Sequence, residues 1–466
     1  MKHATTLAFA ALLIALALAP GCAAHARRSH ASSTHADQFT REAVAADQHL
    51  ASEAGAEILA RGGNAIDAAV ATSFALSVVR PYSCGIGGGG FMVVHRSGGD
   101  GADAGQFAIN YRETCPAGVG PTHFEQIADP VASRFGAHSV ATPGTIVGLL
   151  TALETHGTMD RRDVLAPAIR LARAGFHADA HYISSTAALI DRFESNPDMK
   201  QRFAFVWERF LLQGKVRQGD LIRVPEQARA LTLIAEQGAR AYTHGPIGEA
   251  IVRAVRADGG VLAQTDLASF HVEPVAPARA QVAGYELVGM PPPSSGGVTM
   301  FEALRILEQL GYDFSMALET PERAHLVAEA LKHAFADRAE WFADPAFTDV
   351  PVERLLSDRY TASLAARVDR AHTQPPGAYG SRAQLSEDGG TSHFSVVDRW
   401  GNAVACTETI NLIFGSLVAV PEYGFVLNDQ MDDFLTRRGQ VNAFGLQQSE
   451  RNLPEAGKRP LSSMSP

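Results

Sequence analysis

Long Ala-rich stretches of helical period alternate along this chain with short apolar runs that end at glycine or proline. The segment HLASEAGAEILARGGNAIDAAVATSFALSVVRP, beginning at His49, predicts two helices. Gly62-Gly63 is a C-terminal stop for the first, and Asn64 a cap for the second, which runs to about Val79 and halts before Pro81. The glycine run 84–90 leads into a short strand at Phe91–Val94, and FAINYR (107–112) predicts a strand that delivers Arg112. Mainly helical pattern fills 141–200 and 225–257, a strand is expected over 283–290, and further helices over 299–311 and 321–342. After Thr391 the period changes to two. SHFSVVD, a turn at Arg399-Trp400-Gly401-Asn402, and AVACTETI form a hairpin, with a third strand, GFVLN, at 424–428. No internal repeat is present. Helix clusters alternating with strands predict helices stacked on both sides of a sheet.

At 466 residues, 46% hydrophobic and 19% charged, this is an ordinary globular composition for one large α/β domain or two packed segments. A net charge of −10 without a long polybasic run argues against nucleic acid or an anionic membrane surface as the main partner.

Lys2 and His3 precede an apolar run, Leu7–Ala19, that is too short for a spanning helix and reads as a secretory signal over residues 1–22. Cys22 after Ala19-Pro20-Gly21 resembles a bacterial lipoprotein box, with ordinary signal cleavage nearby as the alternative. Residues 23–48 are expected to be a flexible tether. The expected location is the periplasm, an outer-membrane lipid anchor, or secretion. Cys84, Cys115 and Cys406 are too few and too widely spaced for a disulfide framework, and Cys406 fits a buried small hydrophobe.

The stretch 372–390 is rich in Pro, Gly and Ser and leads into Thr391, which opens an alternating strand. A Thr hydroxyl is a weak nucleophile without a neighbouring base. The residue's own α-amino group can serve, once the preceding peptide bond is cut. The pattern therefore suggests a precursor that splits itself at Gly390–Thr391. Two other motifs weigh less. The glycines at 85–90 lack the Lys-Ser/Thr of a phosphate loop and suit a close-packed site wall. His325, Glu329 and His333 share a helical spacing that can hold a metal, but drift over eight residues favours an ordinary helix face.

Read together, GGNAIDAAVA, GIGGGGFM, YRET, ATPGTIVG, MPPPSSGG, TSHFSVVD, GNAVA, TINLIFGS, LNDQMDDF and KRPLSSMSP resemble, in order, the γ-glutamyltranspeptidase family of N-terminal-nucleophile hydrolases. The resemblance implies a four-layer αββα sandwich, a large subunit over 49–390 and a small subunit from Thr391 that form a heterodimer after cleavage. It implies a γ-glutamyltransferase and glutathione hydrolase working through a γ-glutamyl ester on Thr391, with water, amino acids or peptides as acceptors. No metal or organic cofactor is implied. Thr409 matches the residue that hydrogen-bonds the nucleophile. Arg112 matches the clamp for the substrate α-carboxylate, supported by Ser462 and Ser463. Asp433 matches the partner of the α-ammonium, with Asn411 and Gln430 completing the cradle. Phe444 matches the aromatic position of a lid loop. The alternatives are a related cephalosporin acylase or a poly-γ-glutamate-processing enzyme. Asp433 argues against glutaryl substrates, which have no ammonium.

Family members continue beyond the position of Pro466 with further core elements and a Gly-Gly oxyanion hole. The favoured expectation is that the sequence is part of a longer gene product. The alternative is an inactive truncated homologue.

Overall fold

The computed structural model describes residues 41–272, 274–315, 320–380 and 390–466. The leader, Cys22 and the tether as far as residue 40 lie outside the described residues. The tether's expected end at 48 needs correction. Ala43–Ala46 (β1) is an edge strand paired antiparallel with Phe394–Val397, and Gln48 already caps the next helix. A short alanine-rich run carries no period by itself; pairing with a distant strand makes it a strand.

The two N-terminal helices are His49–Ala60 (α1) and Ala65–Val79 (α2). Asn64 and Asp67 close a reciprocal capping box at the start of α2, with bonds of 2.8–3.0 Å. Every residue of α2 is buried, and its small side chains let it lie directly on the sheet.

That sheet has six antiparallel strands. They are β1, Gly89–Arg96 (β2), Gly105–Asn110 (β3), Pro274–Val275 (β4), Thr391–Val397 (β5) and Ala403–Thr409 (β6). Their spatial order is β1-β5-β6-β2-β3-β4. The hairpin forms as expected, and its turn is tied down by Asp398. That carboxylate accepts from the N–H groups of Trp400 and Asn402 at 2.9 and 3.0 Å, and from Ala65 N–H at the head of α2 at 2.9 Å. Along β5, Ser392, Phe394 and Val396 are buried, while Thr391, His393, Ser395 and Val397 face outward. The run at 424–428 does not join this sheet. Phe425–Val426 pairs with Ala419–Val420 in a small separate ladder.

Thr145–His156 (α3) and a block of helices between Arg161 and Ala257 pack around the same core as α2. The strand expected over 283–290 forms as Tyr285–Gly289, in a hairpin with an unforeseen partner, Ala278–Val282, and precedes Gly296–Gln309 (α4) and Pro321–Trp341 (α5). On α5 the spaced residues do not gather as a set of metal ligands: His325 turns to one segment, while Glu329 and His333 meet Tyr379. His325 bonds Asp369 O at 2.7 Å, Glu329 bonds Lys332 and Thr373, and His333 packs on Tyr379. Cys84, Cys115 and Cys406 are buried free thiols. Among the described residues no helix is long and apolar enough to cross a membrane.

Candidate active site

The hairpin register sets Thr409 directly across from Thr391. Thr391 Oγ1 lies 3.3 Å from Thr409 Oγ1. The Thr409 hydroxyl in turn donates to Gly390 O at 3.0 Å and accepts from Asn411 N–H at 2.8 Å. One hydroxyl thus touches the nucleophile and the carbonyl of the bond before it. Asn411 adopts a left-handed backbone (φ 80°), tolerable for Asn, and this turns its N–H back onto Thr409. Its amide is held by the carbonyl and carboxylate of Asp429, at 3.3 and 3.2 Å. Burial pushes the Asp429 carboxyl well above its usual range.

The glycine run lies beneath this pair. A Cβ on Gly88 would stand 2.3 Å from Thr409 O, so only glycine lets the β6 end approach. This is the close-packed wall expected from the sequence.

Arg112 follows β3 and is fully buried. Its Nη2 reaches Asp433 Oδ2 at 2.5 Å and Leu461 O at 3.1 Å, and its Nε donates to Pro460 O at 3.2 Å. Asp433 also accepts from Gln430 Nε2 at 3.0 Å and from Asn442 Nδ2 at 2.9 Å. Two residues read as contacts for opposite ends of a ligand are therefore paired with each other. Among the described residues, buried Gln430 Oε1 has no hydrogen-bond donor. Glu113, beside Arg112, is buried with neither carboxylate oxygen hydrogen-bonded among the described residues, and burial raises its pKa to about 7 against the pull of Arg112.

Ser462 and Ser463 are seated by the MPPPSSGG loop. Ser295 donates to Ser462 O through its N–H at 2.8 Å and its hydroxyl at 2.7 Å, and Ser462 N–H donates to Pro293 O at 3.0 Å. A Cβ on Gly296 would meet Ser463 O at 2.4 Å. The lid-like loop is fastened from below. Asn442 Oδ1 accepts from the N–H groups of Phe444 and Leu446 at 3.1 and 3.0 Å, and Asp432 accepts from Ala443 N–H at 2.6 Å.

Thr391, Thr409, Arg112, Asn411, Gln430, Asp433, Ser462, Ser463 and Phe444 all line one cavity of about 270 Å³. That volume suits a compact polar group. Gly390 joins them through its carbonyl. Sequence reasoning missed Arg338, which lines the same cavity from α5, and Asn442, which links lid to carboxylate. Nothing local distinguishes Arg338 in its helix. MPPPSSGG stood out as a motif without its role being legible.

Residues 51–466 match the family Gamma-glutamyltranspeptidase. The chain belongs to the γ-glutamyltranspeptidase family. It is 36% identical over 428 residues to a glutathione hydrolase proenzyme of Pseudomonas sp. (strain A14), covering 91% of this chain and 72% of that relative. Among solved structures it is similar to a cephalosporin acylase from Bacillus halodurans, with a TM-score of 0.76 and 26% identity over 93% of this chain and 77% of that one. It is also similar to a γ-glutamyltranspeptidase from Pseudomonas nitroreducens complexed with L-DON, with a TM-score of 0.66 and 30% identity over 74% of this chain and 99% of that one. As a γ-glutamyltranspeptidase family member with these neighbours, the chain has the α/β sandwich class of the N-terminal-nucleophile hydrolases.

Proposed function

We propose that this chain is the precursor of a γ-glutamyltransferase and glutathione hydrolase that cuts itself at Gly390–Thr391. The observation that carries the reading is the hydroxyl chain from Thr391 through Thr409 to Gly390 O, set at the head of a cavity holding an Arg–Asp pair. In maturation, Thr391 Oγ1 adds to the Gly390 carbonyl as the C–N bond breaks, and water hydrolyses the resulting ester. The new α-amino group, with an ordinary pKa near ~8, is then the general base for catalysis. In turnover, Thr391 Oγ1 attacks the γ-carbonyl of glutathione or a related amide, and the amine leaves. The acyl ester passes to water or to an amino-acid or peptide acceptor.

The substrate's charges support the same reading. A γ-glutamyl head carries an α-carboxylate and an α-ammonium on one carbon. Inserted between Arg112 and Asp433, it offers each a partner of the right sign, so neither buried charge is stranded. The orphan Gln430 Oε1 suits an ammonium donor. Ser462 and Ser463, which line the same cavity, offer hydroxyl donors to the carboxylate in this reading. Phe444, which lines the cavity, takes the part of its aromatic cover in this reading. The leader supports export as a periplasmic or lipid-anchored protein, with Cys22 as the acylated residue.

The test is intact mass and N-terminal identification of the purified protein, then release of p-nitroaniline from γ-glutamyl-p-nitroanilide. A fragment beginning at Thr391, with both events abolished in Thr391→Ala, is expected. Full activity in that variant, or preferential hydrolysis of glutaryl amides, would overturn the reading.

A further inference from the structure

Arg338 is 3% exposed, yet no carboxylate among the described residues lies within ion-pair distance of its guanidinium. Its side-chain hydrogen bonds are both made by Nε, to Ser295 Oγ and Ser463 Oγ at 3.2 Å each. Arg112 differs. Its charge is met by Asp433 at 2.5 Å and faced by Glu113 at 3.8 Å. A buried cation without a counter-ion is costly, and a site that keeps one is arranged for an anion. Burial lowers the Arg338 pKa only to about 10, with Asp433 opposing, so the group stays charged at neutral pH.

We propose that Arg338 is a positioning residue of the glutamyl subsite: it orients Ser463 through Nε, and its unspent charge draws the substrate α-carboxylate to the serine pair. The structural basis is a single Nε–H shared by two hydroxyls on two segments. Ser463 belongs to the cavity wall, and Ser295 holds Ser462 O. Arg338 therefore joins α5, the loop before α4 and the serine segment at one point. Arg112, paired with Asp433, lines the same cavity, so Arg338 adds a second positive charge to the one that takes the carboxylate. Discrimination between substrates with and without an α-carboxylate should then depend on Arg338.

This rests on the γ-glutamyl reading of the cavity, and the experiment separates the two. Steady-state kinetics would compare γ-glutamyl-p-nitroanilide with 4-aminobutyryl-p-nitroanilide, identical but for the α-carboxylate. In the processed full chain, Arg338→Met is expected to raise KM for the first at least ~10-fold, with kcat within ~3-fold. KM for the second should move far less, so the preference for the carboxylate collapses. Arg338→Lys, which restores charge but not the shared Nε donor, should recover part of it. An unchanged ratio of the two KM values in Arg338→Met overturns the proposal. If Arg338→Met does not mature, Arg338→Lys carries the comparison. Failure of both to yield the two fragments assigns the residue to folding and overturns it as well. A wild-type protein inert toward γ-glutamyl-p-nitroanilide would instead overturn the reading of the cavity.

Discussion

Replacing Thr409 by Ala removes one hydroxyl that makes three contacts around the bond to be cut. It donates to Gly390 O at 3.0 Å, accepts from Asn411 N–H at 2.8 Å and stands 3.3 Å from Thr391 Oγ1. As Thr391 adds to the Gly390 carbonyl, negative charge grows on the oxygen that Thr409 already touches. Losing one preorganised donor to such an oxyanion costs about 10²–10³ in rate, or roughly 2.7–4 kcal/mol of barrier. The ground state loses less, because the bond to a neutral carbonyl is worth only about 0.5–1.5 kcal/mol net. Asn411 N–H is also left without its acceptor at a site where Thr409 is 3% exposed, adding about 1–3 kcal/mol of destabilisation. The assay is a time course of precursor disappearance by gel and intact mass at fixed temperature. Thr409→Ala should cleave at least ~100-fold more slowly, and Thr409→Ser, which keeps the hydroxyl on the same strand, should recover most of the rate. Wild-type cleavage by Thr409→Ala would refute the oxyanion role assigned to this hydroxyl. Equal slowing in Thr409→Ser would show that the lost methyl, not the hydroxyl, is responsible.

Asn442→Ala removes a 2.9 Å bond to the Asp433 carboxylate and the acceptor for Phe444 and Leu446 N–H. A charge-assisted bond is worth about 1.5–3 kcal/mol, so KM for γ-glutamyl substrates should rise roughly 10–100-fold in steady-state assays. Gly296→Ala drives a Cβ to 2.4 Å from Ser463 O. Overpacking of this kind costs about 1–3 kcal/mol, read as a lower thermal midpoint together with a raised KM. Glu113 predicts a pH effect. Its folded pKa, about 7 because of burial, exceeds the ordinary 4.5, so its contribution to stability is fully present below 4.5 and is lost as pH rises to 7. Glu113→Gln cannot ionise, so its stability relative to wild type should improve between pH 5 and pH 8, by at most ~3 kcal/mol. Denaturant titrations at the two pH values check this, and a constant difference would remove the burial argument.

Local relations along the chain were enough to determine α1, α2, the β5–β6 hairpin and its turn. Each depends on neighbours within a few residues: an i, i+4 apolar face, an Asn64–Asp67 cap, a period of two closed by Asp398. The ordered motifs also determined the family and named nine of the residues lining the cavity, because side-chain types at fixed spacing are visible without coordinates. Tertiary structure alone decided how those residues use one another. Arg112 and Asp433 lie 321 residues apart, and only packing reveals that they neutralise each other. Ala43–Ala46 becomes a strand only because β5 offers it an edge. Arg338 sits on a helix of unremarkable pattern. Its meaning comes from burial beside two serines with no counter-ion among the described residues, and burial is a property of the whole fold, set by distant segments rather than by residues next to it in the chain.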